Sequence, residues 1–135
     1  MGRSRPRVLT EKGITLDAGA LIAVERGSRQ LAALLDRARV RGTAAAVPAA
    51  VVAQVWRYGR RQARLAQFLR TRHCDIVPLD AAGARLAGRL CALAATSDVV
   101  DASVVVVAMQ RGHRVVTSDP DDLRRLDPRL ELVVV

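Results

Sequence analysis

The chain has 135 residues, half of them hydrophobic, with 22 basic against 13 acidic side chains and a formal net charge of +9. That length supports one domain around one sizeable core and excludes two, and no window approaches the ~18 to 20 apolar residues of a membrane-spanning helix. Lys12 is the only lysine, so arginine carries the charge, which suits a polyanionic partner such as nucleic acid or an acidic protein segment unless it merely reflects a GC-rich genome. Residues 1–12, MGRSRPRVLTEK, read as a loose basic arm, with no following apolar stretch that would make a secretory signal. GITLD (13–17) predicts a strand, and a helix follows over 18–26, ending at Gly27. Ser28 is placed to cap a second helix, RQLAALLDRARVR, whose leucines 31, 34 and 35 mark an apolar face and which Gly42 ends. TAAAV (43–47) predicts a weak strand, with Pro48 in the first turn of a helix reaching about residue 58. RQARLAQFLRTR (61–72) predicts a helix, CDIVPL (74–79) a strand, and Asp80 the cap of a helix over 81–95.

SDVVDASVVVVA (97–108) is ambiguous, because four consecutive valines favour a strand while its length and the stop at Gly112 favour a helix. We read it as a helix. HRVVTS then predicts a strand, DPDDLRRL a short helix with Pro120 in its first turn, and LELVVV a last strand. Strands alternating with helices imply an α/β fold, a mainly parallel sheet with helices on both faces.

In such a sheet a site lies in the crevice beyond the carboxyl ends of the strands. Asp17 ends the first strand, Asp119 follows VVTS, and Asp98 and Asp101 open the long helix. Each alone reads as a helix cap or a first-turn acid. Together they are harder to explain that way. Two unit charges about 4 Å apart repel by ~4 kcal/mol at an effective dielectric near 20, whereas a helix terminus stabilises an anion by only ~0.3 to 1 kcal/mol. Either some of the four are protonated or a cation neutralises them. Oxygen ligands without His or Cys suit a hard ion, Mg²⁺ or Mn²⁺, which would polarise a phosphodiester and activate water.

ITLDAGALIAV and DVVDASVVVVAMQRGHRVVTSDPDDL, with the spacing between them, resemble the PIN-domain nucleases, in particular the VapC-type toxins of bacterial toxin–antitoxin pairs. The resemblance spans residues 13–135. It implies a parallel sheet between helices, a Mg²⁺- or Mn²⁺-dependent endoribonuclease acting on RNA, a homodimer, and inhibition by a VapB-like antitoxin encoded beside it. On the matching positions, Asp17 corresponds to the acid of the first strand, Asp101 to the acid opening the long helix, and Asp119 to the acid after the TS strand. Asp98 corresponds to an additional acid found in part of the family, and Thr117 or Ser118 to the hydroxyl beside the last Asp. The family usually has a Glu in the helix after the second strand, where VPAAVVAQVWRYG offers Gln54. That exchange removes one negative charge. Asp98 would compensate for it, or else the domain binds RNA or a protein without cutting.

The remaining features suggest less chemistry. Cys74 and Cys91 lack the spacing of a zinc site and read as buried free thiols in a reducing cytosol, so a cytoplasmic location is expected. Asp121 and Asp122 read as first-turn stabilisers of the short helix. His73 and His113 read as surface or strand-end residues, and Ser103 has no nucleophile-elbow glycines. With Trp56, Tyr58 and Phe68 the whole aromatic supply, base stacking on aromatic platforms is not expected. Trp56 and Tyr58 are expected in the core or at a subunit interface, and Arg57, Arg60, Arg61 and Arg64 form either a phosphate-gripping face or a solvated helix surface. A receiver domain would need a late lysine and a haloacid-dehalogenase-like phosphatase an acid at position 19; the chain has neither.

Overall fold

A computed structural model describes residues 12–135, so of the expected N-terminal arm only Lys12 is seen and residues 1–11 lie outside the described residues. Lys12 forms an ion pair with Glu131. The strands at the centre are short and apolar because both of their faces are covered. β1 (Ile14–Leu16) and β2 (Ala45–Pro48) are buried at every position, and β4 (Arg114–Thr117) at all but its first. β3 (Cys74–Val77) and β5 (Leu132–Val134) are the more open edges of a five-stranded, wholly parallel sheet in the order β3-β2-β1-β4-β5.

Two connections leave β1 toward β3, and the chain then returns past β1 to lay down β4 and β5. Parallel crossovers are right-handed, so the two directions of travel put their helices on opposite faces. The first face holds α1 (Ala18–Glu25), α2 (Arg29–Val40), α3 (Ala49–Val55), a 3-10 turn (Arg60–Gln62) and α4 (Ala63–Arg70). The second holds α5 (Ala81–Ala94), α6 (Val99–Arg111) and α7 (Pro120–Leu126). The strand order reverses between β1 and β4, which makes the carboxyl end of that pair the switch point of the sheet.

The ambiguous valine segment is helical. Residues Ala102–Ala108 of α6 are all buried, so the helix is covered nearly all round and its valines pack as core. Its ends are well defined. Asp98 accepts the amide of Asp101 at 3.0 Å, and Gly112 closes the helix in the left-handed region at φ 65°. Tertiary burial, at ~1.5 to 3 kcal/mol per valine, outweighs a β-propensity scale spanning ~1 kcal/mol.

Two expectations are corrected. Pro48 closes β2, and the helix after it ends at Val55 rather than near 58. The next residues cannot continue it, because Trp56 is extended and Tyr58 has φ 59°. Of the two places expected for Trp56 and Tyr58, core or subunit interface, Trp56 is half-buried against the core, and Tyr58, 86% exposed in the single chain, lies outside it. Cys91 is buried and Cys74 half-buried, and both are free thiols. No single helix among the described residues is long and apolar enough to cross a membrane.

Candidate active site

Three connections bring carboxylates to the switch point. Asp17 directly follows β1 and caps α1, its Oδ1 accepting the Ala20 amide at 2.9 Å. Its backbone N–H donates to Val116 O of β4 at 3.2 Å, tying the end of β1 to the neighbouring strand. Only 5% of Asp17 is exposed, and burial raises its pKa; the Thr117 hydroxyl and the Ala20 amide pull it down, and the charge of Asp119 pushes it up again. Asp119 directly follows β4, and its amide donates to Thr117 Oγ1 at 2.9 Å. The buried Thr117 hydroxyl thus accepts from one acid's backbone and donates to the other acid's carboxylate. That bridge fixes Asp17 and Asp119 relative to each other.

Asp98 and Asp101 arrive at the start of α6, which runs back across β1, β2 and β4. Asp101 has its pKa pushed up to about 7, first by burial, then by the charge of Asp98 and a carboxyl–carboxyl hydrogen bond with it, and further by Asp17 and Asp122. Asp119 is raised chiefly by Asp122, and Arg125 partly offsets this. The four acids expected from the sequence therefore act on one another across three segments.

Asp122 belongs with them. It was read as a first-turn acid of α7, and it occupies that place. Its charge also reaches both Asp101 and Asp119. The available signal was its spacing of three from Asp119, which puts both on one side of a helical turn. Gln54 is exposed on α3, and its side chain forms no hydrogen bond among the described residues. Ser118 has a packing role. A Cβ added at Gly19 would lie 2.1 Å from Ser118 Oγ, so the glycine lets the first turn of α1 approach the β4–α7 loop. His113 lies at the opposite edge of the sheet, its Nδ1 3.0 Å from Thr15 Oγ1.

A cleft of about 70 Å³ opens beside the acids, lined by Thr96, Asp98, Asp101, Asp122, Arg125 and Leu126. One water needs only ~10 to 15 Å³ of such space, so several fit. No three His, Cys, Asp or Glu side chains among the described residues close on one point as a metal cage. The donor set nevertheless fits Mg²⁺, which keeps much of its water and is typically bound through one or two carboxylates.

The PIN domain family model matches residues 14–128. The chain belongs to the PIN domain family. Curated proteins yield no match by sequence. Among solved structures, this PIN domain is similar to a chain in the crystal structure of VapBC2 from Rickettsia felis bound to a DNA fragment from their promoter. The two superpose with a TM-score of 0.70 over 90% of this chain and 97% of the other, at 16% sequence identity. PIN domains of VapC proteins are generally nucleases, and the expected α/β architecture is the one observed.

Proposed function

We propose that this PIN domain is a metal-dependent endoribonuclease and the toxin of a type II toxin–antitoxin pair, acting in the cytoplasm as a homodimer and restrained by a VapB-like antitoxin. The observation that carries the reading is the convergence of Asp17, Asp98, Asp101 and Asp119 at the switch point, with Asp17, Asp101 and Asp119 all raised in pKa. Carboxylates held this close call for a compensating cation, and the oxygen-only set selects Mg²⁺ or Mn²⁺. When bound, that ion polarises a phosphodiester and lowers the pKa of water for in-line attack. One or two of Asp17, Asp101 and Asp119 would hold it directly and the rest through its waters, with Asp98 and Asp122 adding charge.

The rest of the chemistry is positional. Thr117 locks Asp17 to Asp119, and Asp98 fixes the first turn of α6 through the Asp101 amide. Arg125 lines the cleft and brings a guanidinium beside the acids, where a phosphate oxygen can be gripped. The likeness to VapBC2 supports a VapB-like partner. The competing reading, a PIN-like module that binds without cutting, rests on Gln54 standing where the family's Glu is usual. Asp122 weighs against it, since its proximity to Asp101 and Asp119 restores a negative charge to the site.

The test is cleavage of total cellular RNA by purified, antitoxin-free protein with Mg²⁺, with Mn²⁺ and with EDTA. Discrete fragments that disappear in EDTA are expected. No cleavage by folded protein with either metal would favour the binding module.

A further inference from the structure

The residues between α3 and the 3-10 turn, Trp56-Arg57-Tyr58-Gly59, form a built loop that the acidic site does not use. Its anchor is Gln62, a polar side chain only 6% exposed. Gln62 Oε1 accepts the amides of Arg57 at 2.8 Å and Tyr58 at 3.0 Å. Its Nε2 donates to Val55 O at 2.9 Å and to Glu25 Oε1 at 2.8 Å. Arg57 adds a clasp, donating to Trp56 O at 2.7 Å and to Ala53 O at 3.3 Å.

This scaffold holds Tyr58 in the left-handed region, at φ 59°, where a bulky side chain is disfavoured. What the fold gains there is not burial, because Tyr58 is 86% exposed. Its ring sits 6.2 Å from that of Trp56 at an interplanar angle of 59°, which leaves a face of the phenol open to solvent. The charge around it is one-sided. Between Asp36 and Asp75 the chain has nine arginines and no acidic residue, and Arg57, Arg60 and Arg61 are exposed in or beside the loop. Glu25, the carboxylate that reaches the loop, is engaged by Gln62.

A rigid, exposed ring set among arginines fits a ligand that is both polyanionic and flat-faced. We propose that the Trp56–Gly59 loop is a stacking platform for a base of single-stranded RNA, with Tyr58 as the stacking ring and Arg60 and Arg61 drawing in the phosphates. The proposal rests on the ribonuclease reading for its direction. Asp17 caps α1 and Glu25 ends it, so the platform lies one helix length, about 12 Å, from the acids. A stacked strand advances ~3.4 Å per nucleotide and covers that distance in about four nucleotides. Tyr58 would thus hold a base several positions from the bond that is cut. The scarcity of aromatics had argued against such recognition, but a single well-presented ring is enough for one base.

The test is binding of a short fluorescent single-stranded RNA in EDTA, where no cleavage competes, by wild type, Tyr58→Phe and Tyr58→Gly. Glycine suits the left-handed conformation, so Tyr58→Gly removes the ring and leaves the loop unstrained. Tyr58→Phe should bind as wild type. Tyr58→Gly should bind about tenfold or more weakly, with the salt dependence unchanged because no phosphate contact is lost. An abasic RNA of the same length should bind wild type as weakly as intact RNA binds Tyr58→Gly. Equal binding by Tyr58→Gly and wild type, or by abasic and intact RNA, would overturn the platform and turn attention to a protein partner for this loop. Because no metal is needed, absent cleavage leaves this result standing, and a failed platform leaves the nuclease reading standing.

Discussion

Asp101 shows how a single side chain comes to need a partner. Its backbone position is fixed by the Asp98 cap, and its carboxyl is half-buried beside other acids, which pushes its pKa from 3.8 to about 7. The direction of the resulting pH dependence follows. A carboxyl whose folded pKa lies above its unfolded value binds more protons in the native state, so it makes stability fall as pH rises from about 4 to about 7. Asp17 and Asp119 act in the same direction. In EDTA the melting temperature of wild type should therefore fall, relative to Asp101→Asn, between pH 4 and pH 7.5, and Mg²⁺ or Mn²⁺ should recover it at the upper end for wild type alone. A constant gap between the two proteins at every pH would remove the electrostatic account of this residue.

The elements are short, and their ends matter more than their middles. α6 has to begin at the acids and stop before β4, although its valines would serve equally well in a strand. Asp98 sets its start, and Gly112, at φ 65°, sets its stop. Nothing lies within 4 Å of a Cβ built on Gly112, so Gly112→Ala meets no clash and costs only the conformational penalty, about 1 kcal/mol, in chemical denaturation. An unchanged midpoint would mean that the stop depends on something other than the left-handed cap. At this scale the sequence was readable where capping and turn chemistry are local: Asp80 and Ser28 cap the helices expected of them. It was unreadable where a distant group intervenes. α3 stops at Val55 because Gln62, seven residues on, takes Val55 O and the next amides, and no pattern within 48–58 announces that.

Over the whole molecule, the parallel sheet and its reversal between β1 and β4 turn three separate sequence segments into one acidic notch. Asp17, Asp101 and Asp119 were legible because strand ends and helix starts in an open sheet share an edge. Asp122 was not singled out, because its reach to Asp101 depends on how α7 lies against α6. The sequence could equally not tell that Gln54 would be exposed, since that depends on which face of α3 the core takes. The measurement that bears most directly on the central claim compares wild type with Asp101→Asn, reading RNA cleavage in Mn²⁺ and RNA binding in EDTA on the same preparations. Cleavage should fall by about a hundredfold or more, as when a preorganised electrostatic group is removed, while binding stays within about twofold. Cleavage by Asp101→Asn at the wild-type rate would contradict the assignment of the acidic notch as the catalytic site.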